Sequence, residues 1–248
     1  MSKMFGAFDT DQLDEQAPRL GGYAPVETDG YVGTIKLAYA GKSPNSDSRF
    51  VEVIADINGQ EYKERFYICS KTGQPFYEDK KDPSKKRPLP GLVHIDHMCL
   101  MTTGQKLAEQ DVEDKVIMLW DTTVGAETHQ TVPVLIDLLG KEVGLAINKV
   151  TQWKQKKVDG RYVDSDETQD INELDFVYHP ENNMVVDEIR REVEEASHYP
   201  AWIDRNKGKT KNKTKSKPGK QLVGGAPQSG LGAASSNSTS GKSNPFLK

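Results

Sequence analysis

Cysteine is scarce in this 248-residue chain, which contains only Cys69 and Cys99. Two thiols are too few for a disulfide scaffold, so we expect both to stay reduced. No stretch approaches the ~20 apolar residues of a membrane span, and the first residues have neither a basic segment nor an apolar run of the kind that begins a signal peptide. We therefore expect an intracellular protein that acts in the cytoplasm.

Acidic residues are absent from the C-terminal part of the chain. Residues 205–248 contain ten cations and no Asp or Glu, which leaves 23 cations against 37 carboxylates in the rest. The net charge of -4 therefore divides into a basic tail of +10 and an acidic body of -14. An acidic body repels a polyanion, so any nucleic-acid site has to be built from local clusters of cations.

Long helical periodicity is also rare, and a period of two dominates residues 30–153. Strands are predicted over 31–40, 50–57, 61–70, 116–121 and 143–153, with a hairpin turn at Asn58-Gly59. The segment 90–104 predicts a helix between the third and fourth strands, and this order is typical of an OB-fold-like antiparallel β-barrel. A polar loop after residue 158, an extra strand over 171–179 and a second helix over 184–196 complete the predicted body.

The predicted organisation has three parts. Residues 1–29 form an N-terminal arm, 30–204 form the OB-fold-like domain, and 205–248 form a disordered basic tail whose composition cannot offset the entropy of ordering. The tail ends in apolar residues on a polar tether, a pattern typical of partner-binding motifs. The predicted partner-binding residues are Lys242, Phe246, Leu247 and Lys248.

Three clusters combine cations with aromatic rings, as single-stranded nucleic acid requires for phosphate contacts and base stacking. The first is the outer face of the third strand, the second is the loop at 76–88, and the third follows Trp153. The predicted DNA-binding residues are Lys63, Arg65, Tyr67, Phe76, Tyr77, Lys80, Lys81, Lys85, Lys86, Arg87, Trp153, Lys154, Lys156 and Lys157. Each cluster has an ordinary alternative as a solvated surface or connector.

Enzymatic alternatives have weaker support. Asp56, Glu61 and Lys63 form a D-x4-E-x-K pattern that resembles Mg²⁺-dependent nucleases, although its spacing is tight. No phosphate-binding glycine loop and no Ser/His/Asp arrangement is present, so we expect a protein without catalytic activity.

Two residue patterns also suggest metal sites as alternatives. His94, His97 and Cys99, with Cys69, could hold zinc, but packed helix residues are the simpler explanation. The second pattern, at Asp164, Asp166, Thr168 and Asp170, imitates half of a calcium loop without its glycine or closing Glu. We expect no cofactor and no metal.

Four segments together resemble the single-stranded DNA-binding protein of N-four-like bacteriophages: MFGAFDTDQLDEQAPRLGGY, FVEVIADINGQEYKERFYICSKTG, DKKDPSKKRPLPG and VGLAINKVTQWKQ. The resemblance covers residues 1–215. It implies an OB-like core that coats single strands in phage DNA replication and recombination. It also implies activation of the host RNA polymerase at late promoters through the C-terminal end.

One departure from related binding proteins concerns the tail. Many single-stranded DNA-binding proteins end in an acidic segment that recruits partners, whereas this tail is basic. The tail is therefore expected to contact DNA directly. A structural or scaffold protein with a nucleic-acid-binding tail is the remaining alternative.

Overall fold

A computed structural model describes residues 24–43, 46–121, 124–158 and 161–214. Within these ranges the chain forms ten strands and three α-helices. The strands are β1 (Asp29–Lys42), β2 (Arg49–Ile57), β3 (Gln60–Tyr67), β4 (Phe76–Glu78), β5 (Lys86–Pro88), β6 (Val112–Asp121), β7 (Ala126–Leu135), β8 (Glu142–Val158), β9 (Arg161–Tyr178) and β10 (Thr210–Asn212). The helices are α1 (Pro90–Thr103), α2 (Val186–Arg190) and α3 (His198–Asn206).

The first three strands form an antiparallel meander that supplies part of the core, together with α1 and strands β8 and β9. Strands β2 and β3 meet at Asn58 and Gly59, whose φ angles are 53° and 81°. Two consecutive positive φ angles are what a two-residue hairpin turn of the Asn-Gly type requires. The hairpin that the sequence predicted here is confirmed.

Eight strands belong to one mainly antiparallel sheet. Five of them lie side by side in the order β10-β8-β1-β2-β3, and β6, β7 and β9 pair beside this path. Strand β9 pairs with β8, and the β6–β7 hairpin joins the sheet where Tyr39 pairs with Val134. Among the described residues no strand pairing closes this sheet into a barrel. The predicted mainly β fold is confirmed.

Side chains and a loop bridge the gap between β3 and β9. The Glu64 carboxylate on β3 accepts hydrogen bonds from the Leu174 backbone N–H (2.9 Å) and from the Tyr62 hydroxyl. Asn172 on β9 exchanges two 2.8 Å hydrogen bonds with the backbone of Val26. The two strands are therefore neighbours without a shared ladder of backbone hydrogen bonds.

Helix α1 covers the inner face of the sheet, and its predicted position between the third and the next long strand is confirmed. It begins with Pro90 and ends at Gly104, whose φ of 74° suits a glycine cap. Ile95, Met98 and Cys99 are fully buried against the apolar side chains of β1, β2 and β3.

Strands β4, β5, β7 and β10 were not predicted, and β6, β8 and β9 were predicted over only part of their length. Strand β7 contains Pro133 and a run of polar residues from Glu127 to Thr131, so its sequence shows no apolar period of two. The expected polar loop after residue 158 is instead the first half of β9, which pairs with β8 in an extended hairpin. A hairpin exposed on both faces selects no apolar alternation, which explains why its sequence resembles a loop.

The predicted helix over 184–196 is wrong beyond its first turns. Helix α2 ends at Arg190, and Glu192 has a φ of 53°. The Glu188 carboxylate organises the next turn by accepting hydrogen bonds from the backbone N–H groups of Val185, Ser197 and His198. Although burial opposes it, these bonds lower the pKa of Glu188 to about 2.

Ten residues assigned to the tail from composition lie on the body instead. Residues 205–206 end α3, and Thr210–Asn212 form β10, which pairs in parallel with β8 at Lys149–Thr151. The Thr28 hydroxyl also donates a 2.6 Å hydrogen bond to the Lys209 carbonyl. These ten residues are ordered by backbone hydrogen bonds, which composition does not reveal.

The remaining tail predictions fall outside the described residues. These include the partner-binding residues Lys242, Phe246, Leu247 and Lys248, together with most of the N-terminal arm. In the part of the chain that is described, no helix has the length and apolar character to span a membrane.

Candidate nucleic-acid interface

The outer face of β2 and β3 carries the first predicted cluster. Lys63, Arg65 and Tyr67 point outward, alternating with the buried rings of Tyr62 and Phe66. In the antiparallel register, Phe50 lies opposite Tyr67 and Glu52 lies opposite Arg65, so these β2 side chains share the face. We call Phe50, Glu52, Lys63, Arg65 and Tyr67 the β2–β3 face.

Glu52 is the centre of this face and is only 3% exposed. Its carboxylate pairs with the Lys63 ammonium at 3.0 Å and with the Arg65 guanidinium at 2.7 and 2.8 Å. The Tyr39 hydroxyl donates a further hydrogen bond to it. Burial alone would raise the pKa of Glu52, but these donors together lower it. Glu52 is thus an anion at neutral pH that holds two cations in place.

Two aromatic rings accompany these cations. The Arg65 guanidinium lies 4.0 Å above the centre of the Phe50 ring, and the Tyr67 ring meets Phe50 edge-on with centroids 6.0 Å apart. Phe50 is buried beneath them, whereas Tyr67 is 36% exposed. The side chains of Lys63 and Arg65 also remain nearly half exposed. The face therefore offers one accessible ring and two fixed cations, with one carboxylate among them.

The second predicted cluster forms the β4–β5 hairpin. Tyr77 pairs with Arg87, and the Lys86 ammonium lies 4.5 Å above the centre of the Phe76 ring. Two cations have carboxylate partners: Arg87 bonds Asp79 at 2.5 Å, and Lys85 bonds Asp82 at 3.2 Å.

Three cations of this hairpin have no ion pair with any residue that the structure describes. They are the exposed Lys80, Lys81 and Lys86. The backbone N–H of Lys81, followed by Arg87, lowers the pKa of Asp79, so that carboxyl is ionised at neutral pH. The hairpin is still net positive, because five cations face Glu78, Asp79 and Asp82.

The β4–β5 hairpin starts beside the end of the β2–β3 face. Its base is closed by a 3.0 Å hydrogen bond from the Leu89 N–H to the Pro75 carbonyl. Gly91 lies so close to β3 that a Cβ there would stand 2.5 Å from the Tyr67 carbonyl oxygen. The base of the β4–β5 hairpin therefore lies near the Tyr67 end of β3, and we call the β2–β3 face and this hairpin together the aromatic–cation surface.

The third predicted cluster is not part of this surface. Trp153 pairs with Thr168 on β9, and Thr168 precedes Leu174, the neighbour of Glu64, by six residues. Six extended residues span about 20 Å, which separates Trp153 from the middle of β3.

The cations of this third cluster also face an acidic strand. Lys154 pairs with Glu167 at 2.8 Å, and β9 contributes Asp164, Asp166 and Asp170 nearby. Lys156 is exposed, and the side chain of Lys157 lies outside the described part. The basic run in β8 is thus largely balanced by its own hairpin partner.

The nuclease pattern is only partly assembled. Asp56 and Glu61 pair directly across the hairpin, and together with Lys36 they line a shallow pocket. However, Asp56 accepts a hydrogen bond from the Gly59 N–H, and Lys63 bonds Glu52 rather than extending toward the pocket.

The metal-binding alternatives occupy packed or extended positions. Burial, with His97 beside it, lowers the pKa of His94 to about 4, and its ring packs against Phe66. Burial raises the pKa of Cys99 to about 12 in the core. The residues from Asp164 to Asp170 lie along β9 rather than in a loop. Over the described ranges no group of three or more His, Cys, Asp or Glu side chains could hold a metal ion.

Sequence reasoning missed three members of the site: Tyr39, Phe50 and Glu52. Glu52 did leave a signal, because it is a single carboxylate within the apolar run of β2. A charge in such a run is expected to be paired when the strand is central.

No protein family matches the chain, and neither a curated protein nor a solved structure does.

Proposed function

We propose that this chain is a non-catalytic, sequence-tolerant single-stranded DNA-binding protein whose ligand lies along the aromatic–cation surface. The observation that carries the proposal is the β2–β3 face, where Lys63 and Arg65 lie on the same side of the strand as the accessible Tyr67 ring. The net-positive β4–β5 hairpin has its base near the Tyr67 end of this face. Single strands bind where cations follow the phosphates and exposed rings accept bases of any sequence.

The topology supports the same function. Helix α1 separates β3 from the later strands, and β1 pairs with both β2 and β8. With Glu64 bridging β3 to β9, this arrangement is consistent with an OB-fold-like barrel that is open along one seam. In OB-folds the second and third strands form the usual binding face, and here that face is the one with the cations.

The acidic remainder of the body has a role in this proposal. Because the body carries net negative charge, a DNA strand is repelled except where cations are concentrated. Lys80, Lys81 and Lys86 are the cations best placed to attract phosphates, since Lys63 and Arg65 are already held by Glu52. Tyr67 is the ring best placed to stack a base.

The proposal is tested with labelled oligo-dT by fluorescence anisotropy at several salt concentrations. Replacing Lys80 and Lys81 by Gln is expected to reduce the log–log salt slope by about 1.4, since each phosphate contact with a single strand contributes ~0.7. The matched control replaces Lys106 and Lys141, two exposed lysines away from the surface, and is expected to leave the slope unchanged. An affinity of the unaltered protein for oligo-dT that does not change with salt concentration would refute the proposal.

A stacking role for Tyr67 makes a separate expectation. Tyr67→Ala is expected to weaken oligo-dT binding by about 1–3 kcal/mol with little change in salt slope, whereas Tyr67→Phe keeps the ring and most of the affinity. Equal affinities for the two variants would remove base stacking from the site.

The scaffold alternative is distinguished by truncation. A chain ending at Thr214 lacks the five lysines of residues 215–248 but keeps the whole aromatic–cation surface. We expect weaker oligo-dT binding that is not abolished. Complete loss would assign DNA binding to the tail and favour a scaffold with a basic arm.

The biological setting is taken from the resemblance to phage single-stranded DNA-binding proteins and belongs to the same proposal. The proposed protein is phage-encoded, acts in the host cytoplasm and coats single strands during replication and recombination. Residues Lys242, Phe246, Leu247 and Lys248 are proposed to contact the host RNA polymerase at late promoters. Addition of the purified protein, and of a Phe246→Ala, Leu247→Ala variant, to a late-promoter transcription reaction tests this role.

A further inference from the structure

One face of the β6–β7 hairpin has no packing partner among the described residues. Val116, Met118 and Trp120 alternate along β6 and are 64%, 50% and 63% exposed. The opposite face does serve the fold, since Ile117 and Leu119 pack toward Tyr39 and Phe50. An exposed apolar stripe on a strand typically marks a surface that binds something else.

The charges around this stripe indicate what it does not bind. Within β6 and β7 there are four carboxylates, Glu113, Asp114, Asp121 and Glu127, against the single cation Lys115. This is a net charge of -3 on one hairpin, so nucleic acid is repelled from it. A cationic segment with apolar side chains has the complementary chemistry.

The chain itself contains such a segment at its C-terminus. Residues 215–248 include five lysines and no acidic residue. The last seven residues place Phe246 and Leu247 between Lys242 and Lys248. We propose that in the free protein, when no polymerase holds them, residues 242–248 dock on the Val116–Met118–Trp120 face of the same molecule.

The spacing of charges on the two sides agrees. On the hairpin face, Asp114 lies at one end of the stripe, and Glu127, which pairs with Trp120, lies at the other. Asp114 and Trp120 are six residues apart, a distance of about 20 Å along a strand. Lys242 and Lys248 are also six residues apart and span about 20 Å when extended. Each lysine can therefore meet a carboxylate while the apolar side chains contact the stripe.

The connection is long enough for docking within one molecule. The described chain ends at Thr214, beside β8, and the hairpin joins the sheet at Tyr39. The path from Thr151 to Ile147 along β8, from Asp29 to Tyr39 along β1, and from Val134 to His129 along β7 is 19 residues, or about 65 Å. The 27 residues at 215–241 can span up to about 90 Å. Because the segment is tethered, its effective concentration at the stripe is set by the linker and not by the protein concentration, which favours the same molecule over a second copy in dilute solution.

The test uses full-length, ¹⁵N-labelled protein and the indole N–H resonances of its three tryptophans. Trp120→Phe assigns the Trp120 signal by its loss. In the full chain, Phe246→Ala with Leu247→Ala is expected to shift the Trp120 resonance and to leave those of Trp153 and Trp202 in place. The matched control, Leu231→Ala, removes an apolar residue elsewhere in the tail and is expected to shift none of them.

Charge exchange provides a second measurement. Replacing Lys242 and Lys248 by Glu is expected to produce the same Trp120 shift, and adding Asp114→Lys and Glu127→Lys to that chain is expected to reverse it. If the chemical shift of the Trp120 indole N–H is the same in both tail variants as in the unaltered protein, the proposal is overturned. A resonance that changes on dilution of the unaltered protein also overturns it, because docking would then occur between copies.

Discussion

Glu52 has two consequences for the residues around it. Its buried carboxylate fixes Lys63 and Arg65 at defined positions on the β2–β3 face, and it also neutralises part of the charge that they offer to a phosphate. A buried anion is tolerated only while its donors remain, and three donors surround this one. The same side chain therefore governs both the stability of β2 and the charge of the candidate site.

Replacing Glu52 by Gln is expected to lower the free energy of unfolding by about 2 kcal/mol, because hydrogen bonds to a charged group are lost while two cations remain. Urea denaturation at pH 7 measures the change. Glu61→Gln, an exposed substitution on the next strand, is the matched control and is expected to cost little. Equal losses for the two variants would show that the Glu52 network does not stabilise the fold.

At the scale of elements, the sequence was informative where a strand or helix has one buried face. The period of two in β2 and β3 and the Pro90 and Gly104 boundaries of α1 were sufficient to predict these elements. The first half of β9 and strand β10 are polar on both faces, so their sequences contain no apolar alternation. Their positions depend on the neighbouring strand β8.

Strand β10 allows this dependence to be measured. A chain ending at Gly208 loses the β10 ladder on β8 and the bond from Thr28 to the Lys209 carbonyl. We expect it to unfold at lower urea concentration, with a loss of about 1–2 kcal/mol from two or three hydrogen bonds.

The chain ending at Thr214 retains these contacts, including the Lys213 ion pair with Glu173. It serves as the control and is expected to be more stable than the chain ending at Gly208. Equal stability of both truncated chains would place the end of the folded body at or before residue 208.

At the scale of the whole molecule, the open side of the sheet depends on Glu64. Burial, although opposed by the Tyr62 hydroxyl and the Leu174 N–H, raises the pKa of Glu64 from 4.5 to about 7. An acid whose pKa is raised on folding favours the folded state fully below its unfolded pKa. That advantage is lost as the pH rises through the folded pKa.

The free energy of unfolding is therefore expected to fall between about pH 4.5 and pH 7 through this group, by on the order of 3 kcal/mol. Glu64→Gln cannot ionise, so its stability is expected to be less dependent on pH in that window and to exceed that of the unaltered protein at pH 8. Thermal unfolding at pH 5 and pH 8 measures both. An unchanged pH profile in Glu64→Gln would show that another group is responsible.

The sequence by itself determined the mainly β composition, the Asn58-Gly59 hairpin, α1 and the outward direction of Lys63, Arg65 and Tyr67. These features are local, because alternation and turn preferences act over a few residues. Tertiary structure decided which clusters lie near one another.

Glu52 meets Lys63 and Arg65 through strand register, the close approach of Gly91 in α1 sets the base of the β4–β5 hairpin near the Tyr67 backbone, and Trp153 is separated from β3 by the length of β9. Register and chain crossings bring together residues that are distant in sequence, so no local pattern records them.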